Sequence, residues 1–223
     1  MTDSAKIKII YSIVAVVSLL ILGLSWFLTT LKKEQLSERE SIIDQGKIEL
    51  EELNTLSSFI ELERQDGTPF SIEELNDKVW LAVQFYAECP MCAQRNASEL
   101  LTLYREFQNN PDFRVVCLSV DPESDDQEKL QEVRDLLEVD PKNWFFVKAQ
   151  REKLWQYMRN EMLFADIRER KEPAEIAAKG KWAHDLGIQL YRGSVLLAHW
   201  RDGSNLDVLR REITASLSSF NKE

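Results

Sequence analysis

Hydrophobic residues are arranged along this chain in three ways: one long uncharged run, several runs of strand length, and stripes at helical spacing. The long run spans residues 9–31, and the shorter runs and stripes alternate through residues 57–223. Strand-like segments that alternate with helix-like segments predict an α/β domain with parallel pairing at its centre.

The shorter runs place most of the elements of this domain. Ser71, followed three residues later by Glu74, has the pattern of a capping box at the start of a short helical turn. The last two strands, separated by Arg192-Gly193, form a predicted hairpin. The predicted strands are 59–63, 79–86, 113–120, 144–148, 187–191 and 195–201, and the predicted helices are 91–109, 126–137, 151–162 and 205–220.

Residues 163–183 interrupt the alternation. Five consecutive charged residues, 168–172, are followed by Pro173, and apolar residues are few. We therefore expect a mostly solvated excursion that ends just before His184.

The uncharged run predicts a membrane anchor. Residues 9–31 would form a helix of about 34 Å, enough to cross a hydrocarbon core of about 30 Å. A cleaved signal peptide is the competing interpretation, but the run is long for one and no Ala-x-Ala-like site follows. We expect a short tail (residues 1–8) and an uncleaved single-pass anchor, whose orientation the flanking lysines do not decide.

Residues 32–56 are rich in Glu, Lys, Gln and Ser and carry an irregular apolar stripe. This composition predicts a charged, helical stalk that lifts the domain off the membrane. A short oligomerising coiled coil is the alternative, although fewer than four clean heptads are present.

The net charge and the number of cysteines argue against two classes of protein. The chain has 38 acidic and 28 basic side chains, a formal net charge of −10, which argues against a nucleic-acid partner. Its three cysteines are too few for a disulfide-stapled scaffold.

Two of the cysteines, Cys89 and Cys92, form a Cys-Pro-Met-Cys turn between the run 79–86 and a helical pattern. A buried strand that delivers two cysteines to a helix start is the core unit of a thioredoxin-like fold. The positive end of a helix dipole favours thiolate, which is both a nucleophile and a metal ligand, while the charge of Glu88 opposes it. This turn predicts redox chemistry or metal binding.

The remaining candidate ligands are Cys117, His184 and His199. Cys117 falls within a predicted strand and His199 within the hairpin, where packing roles are expected; a four-ligand structural zinc site is therefore disfavoured. His184 lies at the junction that, in thioredoxin-like folds, is beside the cysteine turn. Disulfide oxidoreductases of that fold carry a cis-proline there, whereas this chain has Ala183-His184 and no proline after Pro173. This difference favours metal binding over disulfide exchange at the cysteine turn.

Together these features resemble the SCO/SenC family of membrane-anchored, thioredoxin-like copper chaperones. The resemblance covers roughly residues 59–220 and the anchor. One departure is the spacing, because the family usually has Cys-x-x-x-Cys followed by proline, and here Ala93 follows Cys-x-x-Cys. The matching stretches are Phe59-Ile-Glu-Leu, Gln65 to Ser71, Lys78 to Ala82, Cys89-Pro90, Leu118 to Glu123, Trp182 to Asp185 and Gln189 to Tyr191.

The resemblance implies a copper-binding assembly factor, with Cys89, Cys92 and His184 as ligands for Cu(I) or Cu(II). Its recipient would be the Cu-A-bearing subunit of cytochrome c oxidase. It also implies a domain on the periplasmic side of the cell inner membrane, or in the mitochondrial intermembrane space. An enzyme is the alternative: a membrane-anchored thiol–disulfide oxidoreductase in which Cys89 attacks a substrate disulfide and Cys92 resolves it.

Overall fold

A computed structural model describes residues 54–90, 97–200 and 206–220 of the chain. The predicted tail and anchor (residues 1–31), the stalk up to residue 53 and Cys92 lie outside these residues. Within the described ranges, none of the helices combines the length and apolar character needed to cross a membrane.

Seven strands of the described part form one mixed sheet: β1 (Glu61–Arg64), β2 (Pro69–Ser71), β3 (Val79–Phe85), β4 (Phe113–Ser119), β5 (Trp144–Lys148), β8 (Ile188–Arg192) and β9 (Val195–Trp200). Their order in the sheet is β2-β1-β5-β4-β3-β8-β9. Strands β3, β4 and β5 are parallel neighbours, and the other pairs are antiparallel. The parallel centre predicted from the alternating pattern is therefore confirmed. Two further strands, β6 (Arg168–Glu169) and β7 (Trp182–Ala183), form a separate two-stranded ribbon.

Four of the five helices of the described residues lie close to their predicted positions, and local capping explains some of the helix starts. Ser71 and Glu74 form the expected capping box around a 3-10 turn, Ile72–Leu75. Asp126 accepts a bond from the Lys129 amide at the start of the second helix. The helices are α1 (Ala97–Phe107), α2 (Gln127–Leu137), α3 (Arg151–Asn160), α4 (Pro173–Lys179) and α5 (Leu206–Phe220).

Strand β3, which leads to the cysteine turn, is the centre of the core. All of its residues except the last are buried, as its continuous apolar run predicts for a strand covered on both faces. Trp80 stacks on Tyr191 of β8 with ring centroids 4.3 Å apart, and its indole N–H donates to the Gly193 carbonyl. Strand β3 therefore delivers the turn from a rigid base.

The structure differs from the sequence prediction at two places. The excursion 163–183 contains β6, α4 and β7, none of which the pattern predicted. Residues assigned to the end of the stalk also contact the domain: Thr55 bridges to Val195, and Leu56 is buried. The folded domain thus includes residues 54–56, since Asn54 also bonds to Glu161 and Leu196.

Candidate metal centre

The first half of the site is the turn that follows β3. Cys89 is 3% exposed, and its amide donates to the Tyr86 carbonyl. The Ala87 amide donates to the carboxylate of Asp125, which is itself buried. Pro90 is already helical, a residue type suited to the first helical position. These contacts hold Cys89 at the carboxyl end of β3.

Cys89 is disulfide-bonded in this structure. Cys117 is a free, buried thiol, and Cys92 lies outside the described residues. The oxidised state of Cys89 is relevant to function because a sulfur in a disulfide is not a thiolate ligand.

The second half of the site is His184, and it lies beside Cys89. Its Nε2 is 3.6 Å from Sγ of Cys89. Its Nδ1 is 2.7 Å from the backbone carbonyl oxygen of Asp185. A carbonyl can only accept, so Nδ1 carries the proton and donates it. In the neutral ring, Nε2 then directs its lone pair at the sulfur.

The surroundings of His184 favour this neutral ring. Burial lowers the pKa of His184, and the positive charge of Arg170 adds to the shift, against an opposing contribution from the Asp185 carbonyl. A neutral imidazole with a fixed tautomer is the form that binds metals.

Asp185 organises the base of the site. Its amide donates to Oε1 of Gln84 on β3, and its carboxylate accepts from the amides of Ala165 and Gly187. Oδ2 also lies 3.4 Å from Nε2 of His199. Asp185 binds His184 through its backbone carbonyl, which accepts the hydrogen bond from Nδ1.

Tyr86 packs the two halves of the site together, because it contacts both His184 and the end of the excursion. The Tyr86 ring meets the His184 ring edge-on at 5.5 Å between centroids. The Trp182 amide donates to the Tyr86 hydroxyl at 3.4 Å. The ribbon that carries His184 is therefore packed directly on the segment that carries Cys89.

The other candidate ligands lie elsewhere. Cys117 is 2% exposed within β4, where burial raises the pKa of its thiol; the predicted core role is confirmed. The side chain of His199 is 3% exposed and contacts Phe164 edge-on at 5.6 Å. His199 is thus a buried packing residue that faces Asp185.

Two charges near the turn have partners. Glu88, expected to disfavour thiolate, pairs with Lys129 of α2 at 2.8 Å. Asp121, near the end of the parallel strands, pairs with Arg151, whose guanidinium lies over the Trp182 ring.

Sequence reasoning missed three residues around the site: Gln84, Arg170 and Asp185. Gln84 left a signal, because it is a polar residue inside the apolar run 79–86 and must find a buried partner. The sequence gives no comparable signal for the other two residues. Asp185 is simply the residue after a candidate ligand, and Arg170 belongs to a charged run whose composition predicts a solvated surface.

As a donor set, the site offers sulfur and imidazole nitrogen, which suit a soft metal ion. Within residues 54–90, 97–200 and 206–220, no group of three His, Cys, Asp or Glu side chains is arranged around a common point. Cys89 and His184 are brought together; the third predicted ligand, Cys92, is outside those ranges.

Comparisons with known proteins agree with the predicted resemblance. Residues 49–142 match the SCO1/SenC family model. A curated relative, the SCO1 protein homolog of Bacillus subtilis (strain 168), is 29% identical over 86 residues, which are 38% of this chain and 45% of the relative. The match thus spans less than half the length of that relative.

Solved structures agree on the fold. A SCO1/SenC family lipoprotein from Bacillus anthracis has a TM-score of 0.63 and 18% identity, over 73% of this chain and 95% of its own. BsSco, described as a Sco-family cytochrome c oxidase assembly protein with a disulfide switch, has a TM-score of 0.59 and 21% identity (74% and 95% coverage). Arabidopsis thaliana ScoI with copper bound has a TM-score of 0.58 and 17% identity (74% and 99%). The domain therefore has the mixed α/β, thioredoxin-like fold of these proteins.

Proposed function

The chain is related to the SCO1/SenC proteins, and on that premise we propose that it is a membrane-tethered, copper-binding assembly factor. Its cargo would be copper, passed to the Cu-A site of cytochrome c oxidase. Residues 9–31 would tether it to the inner membrane, with the domain in the periplasm or, in a eukaryote, in the mitochondrial intermembrane space.

One observation carries the proposal: Nε2 of His184 faces Sγ of Cys89 at 3.6 Å while Nδ1 is held by a carbonyl. A half-buried histidine with its lone pair directed at a cysteine sulfur is prepared to share a metal ion with that sulfur. Support also comes from relatives, since Arabidopsis ScoI has been solved with copper bound and BsSco belongs to a family that assembles cytochrome c oxidase.

Loading would begin with reduction of the disulfide. A dithiol reductant attacks it, the reductant becomes a disulfide, and Cys89 and Cys92 are released as thiols. Both then lose their protons to bind copper, with neutral His184 as the third ligand. Copper would leave by exchange of these three ligands for those of the recipient subunit.

A second candidate function is a thiol–disulfide oxidoreductase that uses Cys89 and Cys92. The observation that favours it is the disulfide at Cys89, together with a spacing of two residues between the cysteines. The contact with His184 serves this chemistry as well, because Nε2 can accept the proton of the Cys89 thiol. A measurement of copper affinity therefore distinguishes the two functions.

Anaerobic titration with Cu(I) tests the proposal, using the full-length chain in detergent with its cysteines reduced. We expect one tightly bound copper per chain. The His184→Ala variant should lose more affinity than the roughly 10–100-fold cost of losing a ligand's hydrogen-bonding partner.

Two control variants match the chemistry of the ligands. Cys117→Ala removes a cysteine from the core, and His199→Gln removes the other histidine; both should keep one copper per chain. Copper that binds weakly to the parent chain, or equally well to His184→Ala, would overturn the chaperone proposal and leave the oxidoreductase.

A further inference from the structure

Arg170 binds the excursion at the point where it approaches the site. Nη1 lies 3.2, 2.9 and 2.5 Å from the carbonyl oxygens of Lys179, Gly180 and Trp182, and its two hydrogens are shared among these three acceptors. The Arg170 amide also donates to the carbonyl of Lys181 at 2.8 Å. The backbone carbonyl of every residue from 179 to 182 thus accepts a hydrogen bond from Arg170. Its side chain is only 15% exposed, so these charge-assisted bonds are shielded from water.

The segment that Arg170 binds lies on the cysteine turn. A methyl group built on Gly180 would be 1.9 Å from Oη of Tyr86 and 2.9 Å from Cδ of Pro90. The Gly180 backbone is therefore in direct contact with both residues. The Trp182 amide donates to the same Tyr86 hydroxyl, and β7 then runs directly into His184.

The ribbon is too short to hold this position alone. Strands β6 and β7 pair over two residues each, Arg168 with Ala183 and Glu169 with Trp182. Two pairs are far fewer than a two-stranded ribbon needs for stability in water. The hydrogen bonds from Arg170 therefore provide stabilisation of the ribbon that its strand pairing alone does not.

We propose that Arg170 is the positioning residue for His184, because it holds the Gly180–Ala183 backbone against Tyr86 and Pro90 and so keeps Nε2 beside Cys89. The inference rests on the proposed copper function. Arg170 acts through the backbone and is not itself a ligand.

The positive charge of Arg170 should affect the copper reduction potential, a quantity that a purely structural role would leave unchanged. Two thiolates and a neutral imidazole carry a net charge of −1 around Cu(I) and zero around Cu(II). Glu175 lies 3.3 Å from Nε of Arg170 and is 44% exposed, so it offsets only part of this charge. The remaining positive charge stabilises the more negative complex, so Arg170 favours Cu(I) and raises the copper reduction potential.

The test uses two variants of the full-length chain. Arg170→Gln removes both the guanidinium and its charge, while Arg170→Lys keeps the charge but replaces the planar fork by a single ammonium. Arg168→Gln, an exposed arginine on the same ribbon, is the matched control. Cu(I) affinity is measured by competition with a chromophoric chelator, and the copper potential by redox titration.

Both Arg170 variants should bind Cu(I) about 10–100-fold more weakly, the usual cost of losing an outer-shell partner. The potential should fall in Arg170→Gln and stay near the parent value in Arg170→Lys. Without copper, the Trp182 amide should exchange its hydrogen faster in both variants. The control should match the parent chain in all three measurements.

Parent-like Cu(I) affinity in both Arg170 variants would overturn the proposal, whether or not exchange at Trp182 is faster. If Arg170→Gln does not fold, Arg170→Lys decides the question by the same criterion. Failure of the copper function itself would give a different result, because the parent chain would then bind copper weakly, or independently of His184. Hydrogen exchange at the Trp182 amide would still show whether Arg170 holds the Gly180–Ala183 backbone in place.

Discussion

At the scale of single residues, Asp185 has two separate roles. Its backbone carbonyl sets the tautomer of His184, and its carboxylate binds the amides of Ala165 and Gly187. Burial alone would raise the pKa of this carboxyl, but His199 and the two amides lower it to about 2. Asp185 is thus an ionised, fully used acceptor at neutral pH.

We expect Asp185→Asn to lower the free energy of unfolding by about 1–3 kcal/mol, because an amide nitrogen would replace one buried acceptor oxygen. The backbone carbonyl that binds His184 remains. Urea denaturation of the reduced, copper-free chain measures the change. Asp166→Asn is the control, since its carboxylate is exposed and 3.7 Å from Arg159, and should change stability by less than about 0.5 kcal/mol. Equal stability of the two variants would contradict this role.

His184 could be predicted at this scale because its residue type and its place before the last hairpin both pointed to the site. The partners of His184 could not be predicted. Tyr86 and Arg170 reach it from 98 and 14 residues away along the chain, and only folding brings such distant groups together.

At the scale of elements, the excursion is where the structure adds most. Helix α4 ends at Lys179, and its C-cap residue Gly180 has φ +82° and lies against Tyr86 and Pro90. A residue with a side chain would be strained by the backbone and would also collide with the turn. Glycine is therefore required here by both conformation and contact.

Gly180→Ala tests this requirement against Gly67→Ala. Both glycines have positive φ, so both substitutions cost on the order of 1–2 kcal/mol in backbone strain. At Gly67 the added methyl meets only the flexible end of Gln127, whereas at Gly180 it meets Tyr86 and the Pro90 ring. We expect the larger drop in Tm, and weaker copper binding, for Gly180→Ala alone. Equal drops in Tm with unchanged copper binding would show that the contact with the turn is unimportant.

The long elements were predictable because each keeps one hydrophobic pattern, a continuous run or a helical stripe, over at least five residues. Strand β3 reads as a continuous apolar run, and α5 as a stripe that includes Leu209 and Ile213, both buried. The two-residue strands β6 and β7 are too short to show a period. Helix α4 has no buried residue, so it lacks the apolar stripe by which an amphipathic helix is recognised.

At the scale of the whole molecule, Asp125 links the sheet to the cysteine turn. Its carboxylate accepts bonds from the Ser119 hydroxyl, at the end of β4, and from the Ala87 amide. Burial raises the pKa of Asp125 to about 6, although both hydrogen bonds oppose the shift. The folded protein therefore holds this proton more tightly than the unfolded chain, whose aspartates titrate near 3.8.

This difference makes stability depend on pH. The contribution of Asp125 is fully present below about pH 4 and is lost as the pH rises through about 6. In Asp125→Asn, the amide oxygen still accepts from Ala87 and the amide nitrogen can donate to Ser119, without titrating. The free energy of unfolding of the parent chain, relative to this variant, should rise by about 2–3 kcal/mol between pH 7 and pH 4.

Urea denaturation of both proteins across that range measures the effect. The comparison with the variant cancels the other carboxylates, including Asp185, whose lowered pKa acts in the opposite direction and only below about pH 4. A pH-independent difference would mean that Asp125 titrates normally in the folded state.

By itself, the sequence determined the α/β order of elements, the parallel centre and the two chain segments that meet at Cys89 and His184, because periodicity and motif spacing are local properties. The membrane anchor at residues 9–31 stays a prediction. Only the tertiary structure decided which nitrogen of His184 faces the sulfur, that His199 faces Asp185 and not the site, and that a charged run supplies Arg170. Those outcomes depend on burial and on hydrogen bonds between residues far apart in the chain, and hydrophobic pattern carries no information about either.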